Sequence, residues 1–570
     1  MSDGIFRQTP HRRTVLIAGA TLTMALAAGG AQASPAEALA TTSAGMVRGK
    51  KAGGVFSFKG VPYGKAGSAL RFRPPEPPEP WTGVRDALEY ATRCPDTGES
   101  AADYPGGGPL SLSDALPFSE DCLQLNIWTS ALRDGGRRPV MVWLHGGGFH
   151  GGAGSNAATD GTNLVQRGDV VVVNVTHRLN AFGFLHLADF PGGEEYADAG
   201  NVGMLDIVQA LKWIQDNIEA FGGDPSNVTI FGFSGGAGKV ATLMAMPAAK
   251  GLFHRAICMS GSTGIGGRSA KYASLDAEML MYKLGLKSSQ LHELAALPME
   301  RLREGVMALK GHRVLTSFPW GAFSGRDWRP VVDGRSLKSL PWYHDAPETS
   351  ASVPLLIGTV HDEVRMHIMG ADPTSVNIPW PELEPRIAQG LQGAPGRVPS
   401  SPEMFSADEV ISWYRKRYPD LTASELQFKI VTFWIWRHAA IWQAEHRLSS
   451  PARDAKTWMY RGDWGTPVEG GKWGACHGID RPFVFDNVEI AHAMFGEHTA
   501  EAQRMADQLS DTWIAFARHG NPNNAAIPDW PEYDLSNRAT MIFNQESGIE
   551  NDPEADERKY FAQQPPSLSQ

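Results

Sequence analysis

Six short apolar runs rich in β-branched residues, at 139–144, 170–175, 228–233, 256–259, 353–359 and 457–460, are each bounded by turn residues. They lack apolar-polar alternation, so they predict strands buried on both faces. Helical patterns lie between them, at 205–219, 236–246, 407–417 and 424–448. Strands that alternate with helices predict the α/β class: a large, mostly parallel sheet flanked by helices, with the site in loops at the carboxyl ends of the strands. After residue 33 there is no fixed-period repeat, heptad seam or long linker, and the Pro-rich stretch 74–80 reads as a surface loop. One continuous domain over 34–570 is the simpler expectation.

The amino-terminal segment reads as an address. Arg12 and Arg13 precede an apolar run from 15 to about 28, and Ala31-Gln32-Ala33 then forms a small-x-small cleavage pattern. This is the layout of a twin-arginine export signal over 1–33, and its run falls short of the roughly 20 residues a membrane span needs. Cleavage would remove Arg7, Arg12, Arg13 and Asp3, taking the formal charge from -10 to -12. The mature chain is expected outside the cytoplasm, in the periplasm or beyond, where a disulfide can persist. With 52 basic against 62 acidic residues there is no basic field for a polyanion, so nucleic acid is excluded as a partner. No later run is long enough for stable membrane insertion, and the oligomeric state is left open.

Chemistry is written most plainly at Gly232-Phe233-Ser234-Gly235-Gly236, which joins the buried run 228–233 to a helical pattern. A serine nucleophile on a sharp strand-to-helix turn needs small residues two positions either side, and the helix aims its first N–H groups at a developing oxyanion. In a chain with 62 glycines a bare Gly-x-Ser-x-Gly is common, and it is the strand-turn-helix context that gives it weight. Upstream, His145-Gly146-Gly147-Gly148-Phe149 follows the run 139–144; consecutive glycines let backbone donors approach a carbonyl oxygen, so Gly147, Gly148 and Gly235 are the expected oxyanion hole. A flexible turn is the bland reading of such a glycine run. Among 17 histidines His477 stands out, in a glycine-flanked loop after the last predicted strand, where the order serine, acid, histidine places the base. Asp362 and Glu363 follow the run 353–359, and spacing does not choose the acid between them.

At this point the residues resemble the type-B carboxylesterase and cholinesterase family of α/β-hydrolases, over nearly the whole mature chain. The likeness rests on Phe58 to Tyr63, Ser119-Glu120-Asp121-Cys122, Gly146 to Phe149, Arg178 with Phe182-Gly183-Phe184, Phe221 to Pro225, the turn at Ser234, Ser260-Gly261-Ser262, Pro330 to Gly334, Asp362-Glu363, His477-Gly478 and the region from Trp513 to Trp530. The resemblance implies an α/β-hydrolase fold with inserted loops and helices forming a gorge, a Ser234-Glu363-His477 triad, Ser260 as a neighbour of the acid, and a Cys94–Cys122 disulfide. That bridge closes a loop 28 residues along the chain and is worth about 3–4 kcal/mol. Cys258 and Cys476 read as small packing residues. Two positions depart from the family pattern: Phe233 stands where Glu is usual, and Val364 where Gly is usual.

The implied activity is hydrolysis of carboxylic esters through an acyl-enzyme, with no cofactor and no metal, falling below about pH 6 as His477 protonates. A small-molecule ester is the expected partner, of aryl, xenobiotic or polyester type. Phe149, Phe233, Trp320 and Trp473, with Trp434 and Trp436, are candidates to line its pocket, although each could be plain core. A non-catalytic recognition module of the same fold would have lost the nucleophile, and an interfacial lipase would want an apolar lid; the stretch 270–345 is mixed and favours neither.

Overall fold

The computed structural model describes residues 38–96, 116–261, 267–309, 328–343, 345–392, 405–451, 454–497 and 499–562. All six runs expected as buried strands enter one sheet, which has eleven strands among these residues. In chain order they are β1 (Lys50–Ala52), β2 (Val55–Pro62), β3 (Gln124–Thr129), β4 (Arg138–Leu144), β5 (Val171–Thr176), β6 (Gly223–Phe233), β7 (Arg255–Met259), β8 (Leu355–Val360), β9 (Thr457–Gly462), β10 (Ala539–Phe543) and β11 (Gly548–Asn551). Across the sheet the order is β11-β10-β9-β8-β7-β6-β4-β5-β3-β2-β1. Strands β4 to β10 pair in parallel, and antiparallel strands extend both edges.

Burial explains which strands were legible. Every residue of β5 and β8 is buried, so these strands read as unbroken apolar runs. The edge strands β1 and β11 expose polar residues and give no such run. Aromatic rings fill the space over the sheet, as where Trp143 packs 5.0 Å from both Phe231 and Phe485.

Register gathers the site. Leu144 lies opposite Gly232, Phe233 opposite Met259, and Met259 opposite Gly358. The loops after β4, β6, β7 and β8 therefore leave from one edge. The expected helix 424–448 is broken: Ala423–Thr432 and His438–Ser449 are joined by a π-helical turn over Phe433–Arg437. Wider turns of this kind re-aim side chains and recur at functional sites. Ala38–Gln570 forms one compact unit, while Met1–Glu37, with the expected export signal, lies outside the described residues. No described helix is long and apolar enough to cross a membrane.

Candidate active site

Ser234 sits between β6 and the helix Gly235–Leu243 with φ 56° and ψ -122°, a conformation that costs a non-glycine residue about 1–3 kcal/mol. Its surroundings hold it there. Its N–H donates to the Met259 carbonyl at 2.8 Å, and its carbonyl accepts from Gly238 N–H at 3.1 Å. A Cβ on Gly232 would lie 2.5 Å from the backbone of Gly236, and one on Gly236 would lie 1.9 Å from the Leu144 oxygen. The bend therefore requires glycine at both places, and it leaves Ser234 half-buried.

The glycine loop after β4 closes against this turn. Gly147 and Gly148 have φ of 85° and 60°, and the Gly147 carbonyl accepts from His150 and Gly151 N–H groups at 3.2 Å. A Cβ on Gly235 would lie 2.2 Å from the Gly148 oxygen, so loop and helix start are in contact. Among the described residues no acceptor is recorded for the N–H groups of Gly147, Gly148 or Gly235. Beneath them Lys239 is fully buried and donates from Nζ to the His145 carbonyl at 2.9 Å, tying the loop to the helix.

Of the two neighbouring acids, Glu363 meets the histidine. Its Oε2 lies 2.5 Å from His477 Nδ1, and its Oε1 accepts from Val360 N–H at 3.0 Å. Asp362 acts elsewhere. It accepts from Ala475 N–H at 3.0 Å and from Arg365 at 2.9 Å, while its own N–H donates to the Ala475 carbonyl, stitching the histidine loop to the end of β8. Burial pushes the Glu363 carboxyl up, and burial followed by the Arg481 charge pushes His477 down. At 2.5 Å the two titrate as a pair, and an Nδ1–H donated to the carboxylate leaves Nε2 as a free base. Ser260 is buried at φ 51° with its hydroxyl near Glu363; it lowers the acid's pKa without the alignment of a hydrogen bond.

Phe233 connects the serine turn to the histidine loop: its ring lies 4.4 Å from the His477 imidazole, and the next residue in the chain is Ser234. No hydrogen bond from the Ser234 hydroxyl is recorded among the described residues. The π-helical turn presents Trp436 to His477 at 5.7 Å, whereas Trp434 packs on Phe561 at 5.2 Å, away from the site. Phe149 is core, 5.2 Å from Phe184. Trp473 donates to Glu469 at 3.0 Å and, among the described residues, makes no recorded contact with Ser234, Glu363 or His477. Trp320 lies outside the described residues.

Three neighbours of the site went unread in the sequence. His367, one helical turn beyond Glu363, lies 4.8 Å from the His477 ring, a placement that the i, i+4 spacing on a helix encodes. Arg481 and Lys239 gave no signal, since only the fold shows what their side chains face. The implied Cys94–Cys122 disulfide is not formed: all four cysteines are free thiols. Cys94 and Cys122 are buried neighbours, and burial and then the Cys122 thiol raise the Cys94 pKa well above the ordinary thiol value. Cys258 and Cys476 are buried, with burial pushing each thiol up to about 12, in keeping with packing roles.

The chain and its fold have counterparts among known proteins. The model of the carboxylesterase family matches residues 36–561. Para-nitrobenzyl esterase of Bacillus subtilis is 35% identical over 524 residues, 91% of this chain and 98% of that one. Phenmedipham hydrolase of Pseudarthrobacter oxydans is 32% identical over 530 residues, covering 89% and 95%. The solved structure of the Geobacillus stearothermophilus carboxylesterase Est55 at pH 6.2 superposes with a TM-score of 0.75 at 36% identity, over 92% of this chain and 99% of that one.

Proposed function

The chain belongs to the carboxylesterase family, has its α/β-hydrolase fold and is a carboxylic-ester hydrolase, and from that footing we propose that it is an exported serine esterase with Ser234 as nucleophile. His477 Nε2 takes the Ser234 proton as Oγ attacks the ester carbonyl, and the N–H groups of Gly147, Gly148 and Gly235 receive the oxyanion. Glu363 holds the imidazole in orientation and stabilises its cation. The proton passes from His477 to the departing alcohol, and water then cleaves the acyl-enzyme by the same route. The observation that carries this reading is the Glu363–His477 pair at 2.5 Å, packed on the ring of Phe233, the residue that precedes a serine held at positive φ.

The substrate class proposed is small esters of aryl or benzylic alcohols, supported by the name of the para-nitrobenzyl esterase relative and by the aromatic wall of Phe233 and Trp436 around His477. Ser234→Ala is the test. It should cut kcat/KM on a para-nitrobenzyl ester by about 10⁵-fold with the circular dichroism spectrum unchanged. Retained turnover in a folded variant refutes the assignment.

Export over 1–33 and a single catalytic domain over 34–570 complete the proposal. In an oxidising compartment the adjacent thiols of Cys94 and Cys122 would be linked by the resident disulfide-forming system.

A further inference from the structure

Arg481 occupies an unusual position. It opens the short helix Arg481–Val484, four residues after His477, and its guanidinium lies 5.7 Å over the ring of Phe233, the same ring that packs 4.4 Å from the imidazole. Its Nε is buried with no hydrogen-bond partner, yet the side chain as a whole is only half-buried, so its outer nitrogens face accessible space. Burial nevertheless pushes its pKa down to about 10. The guanidinium thus stands at the edge of the packed groups around His477, close enough for its charge to act on that imidazole.

Among the described residues Arg481 makes no ion pair. The nearest acid in sequence, Asp480, uses Oδ2 to accept from the Tyr460 hydroxyl at 3.0 Å, and its Oδ1 has no partner. Burial, and then the charge of Glu363, push Asp480 up to about 7, so near neutrality it offsets only part of the guanidinium charge. The outer nitrogens of Arg481, open to solvent and engaged by no acceptor among the described residues, are free to donate to an anion, and charge-assisted paired N–H bonds are the strongest contacts a guanidinium makes. The chain's formal charge of -10 repels anions at long range, so selectivity for one has to be local.

Resting on the serine-esterase reading, we propose that Arg481 is a specificity residue for esters that carry a carboxylate near the scissile bond, such as monoesters of dicarboxylic acids. The guanidinium would hold that carboxylate through paired N–H donors while the ester carbonyl lies at Ser234.

The test uses three probes: benzyl pentanoate, monobenzyl pentanedioate with the anion on the acyl side, and 4-carboxybenzyl pentanoate with it on the alcohol side. The wild type should prefer one anionic ester to the neutral one. In Arg481→Met the ratio of the two kcat/KM values should fall by roughly 10-fold or more, and Arg481→Lys should restore part of it. Raising salt should depress wild-type turnover of the anionic ester alone, a readout that survives if the Met variant does not fold. A wild type that prefers the neutral ester to both anionic ones, or a ratio unmoved by Arg481→Met, overturns the proposal. If none of the three is hydrolysed, the serine-esterase reading fails first and the proposal with it.

Discussion

A histidine serves as base only while neutral, so in the proposed mechanism the environment of His477 sets the acid limit of activity. Burial, then the Arg481 charge, hold its pKa below the ordinary 6.5, and kcat/KM on a neutral ester should keep its plateau down to a pH below that value. Arg481→Met removes the lesser cause and should move the limb to higher pH; a wild-type limb above pH 7 contradicts the assignment. Lys239 makes a second prediction, about stability. Burial alone lowers its pKa from 10.5 to about 7, so between those values the unfolded chain holds the extra proton. Stability from this group therefore rises with pH across that window, by up to several kcal/mol at about 1.4 kcal/mol per pKa unit. Lys239→Met should flatten that rise and raise stability near pH 7, as read from urea midpoints; an unchanged slope would mean that water reaches the amine.

Elements transmit such constraints because their backbones touch. The helix Gly235–Leu243 can start at Ser234 only because Gly236 lets the Leu144 carbonyl through, with 1.9 Å where a Cβ would stand. Gly236→Ala must move β4 or the helix, and its denaturation midpoint should fall by the equivalent of at least about 2 kcal/mol with loss of esterase activity. An unaltered midpoint would show that the two elements are not rigidly apposed. The pattern read as one helix over 424–448 is another case. Periodicity identifies helical residues but does not register one extra residue in a turn, and that residue decides that Trp436 meets His477 while Trp434 joins the core.

For the molecule as a whole, the parallel sheet is the assembly device. Four loops from β4, β6, β7 and β8 converge at one edge, and the histidine loop is sewn to them by Asp362 and Ala475. The proposed export makes a prediction at this scale: protein recovered from an oxidising compartment should be two hydrogens lighter by intact mass than its reduced form, with Cys94 and Cys122 joined, and reduction should cost about 3–4 kcal/mol in chemical denaturation. Equal masses with and without reductant would rule the bridge out.

What the sequence determined by itself was local or periodic: the buried strands, the serine on its glycine turn, the glycine loop and the histidine in its own. Each is encoded within a few neighbouring residues, because a β run, a forced φ or a close backbone approach restricts which side chains can stand there. Spacing left Asp362 and Glu363 open, the family resemblance implied Glu363, and the packed structure sets it against the imidazole; tertiary structure alone decided that Lys239 is walled in beneath the glycine loop, and that Arg481 lies over Phe233 without a counterion among the described residues. Those outcomes depend on directions and distances between segments 94 or more residues apart, and only the packed sheet sets them.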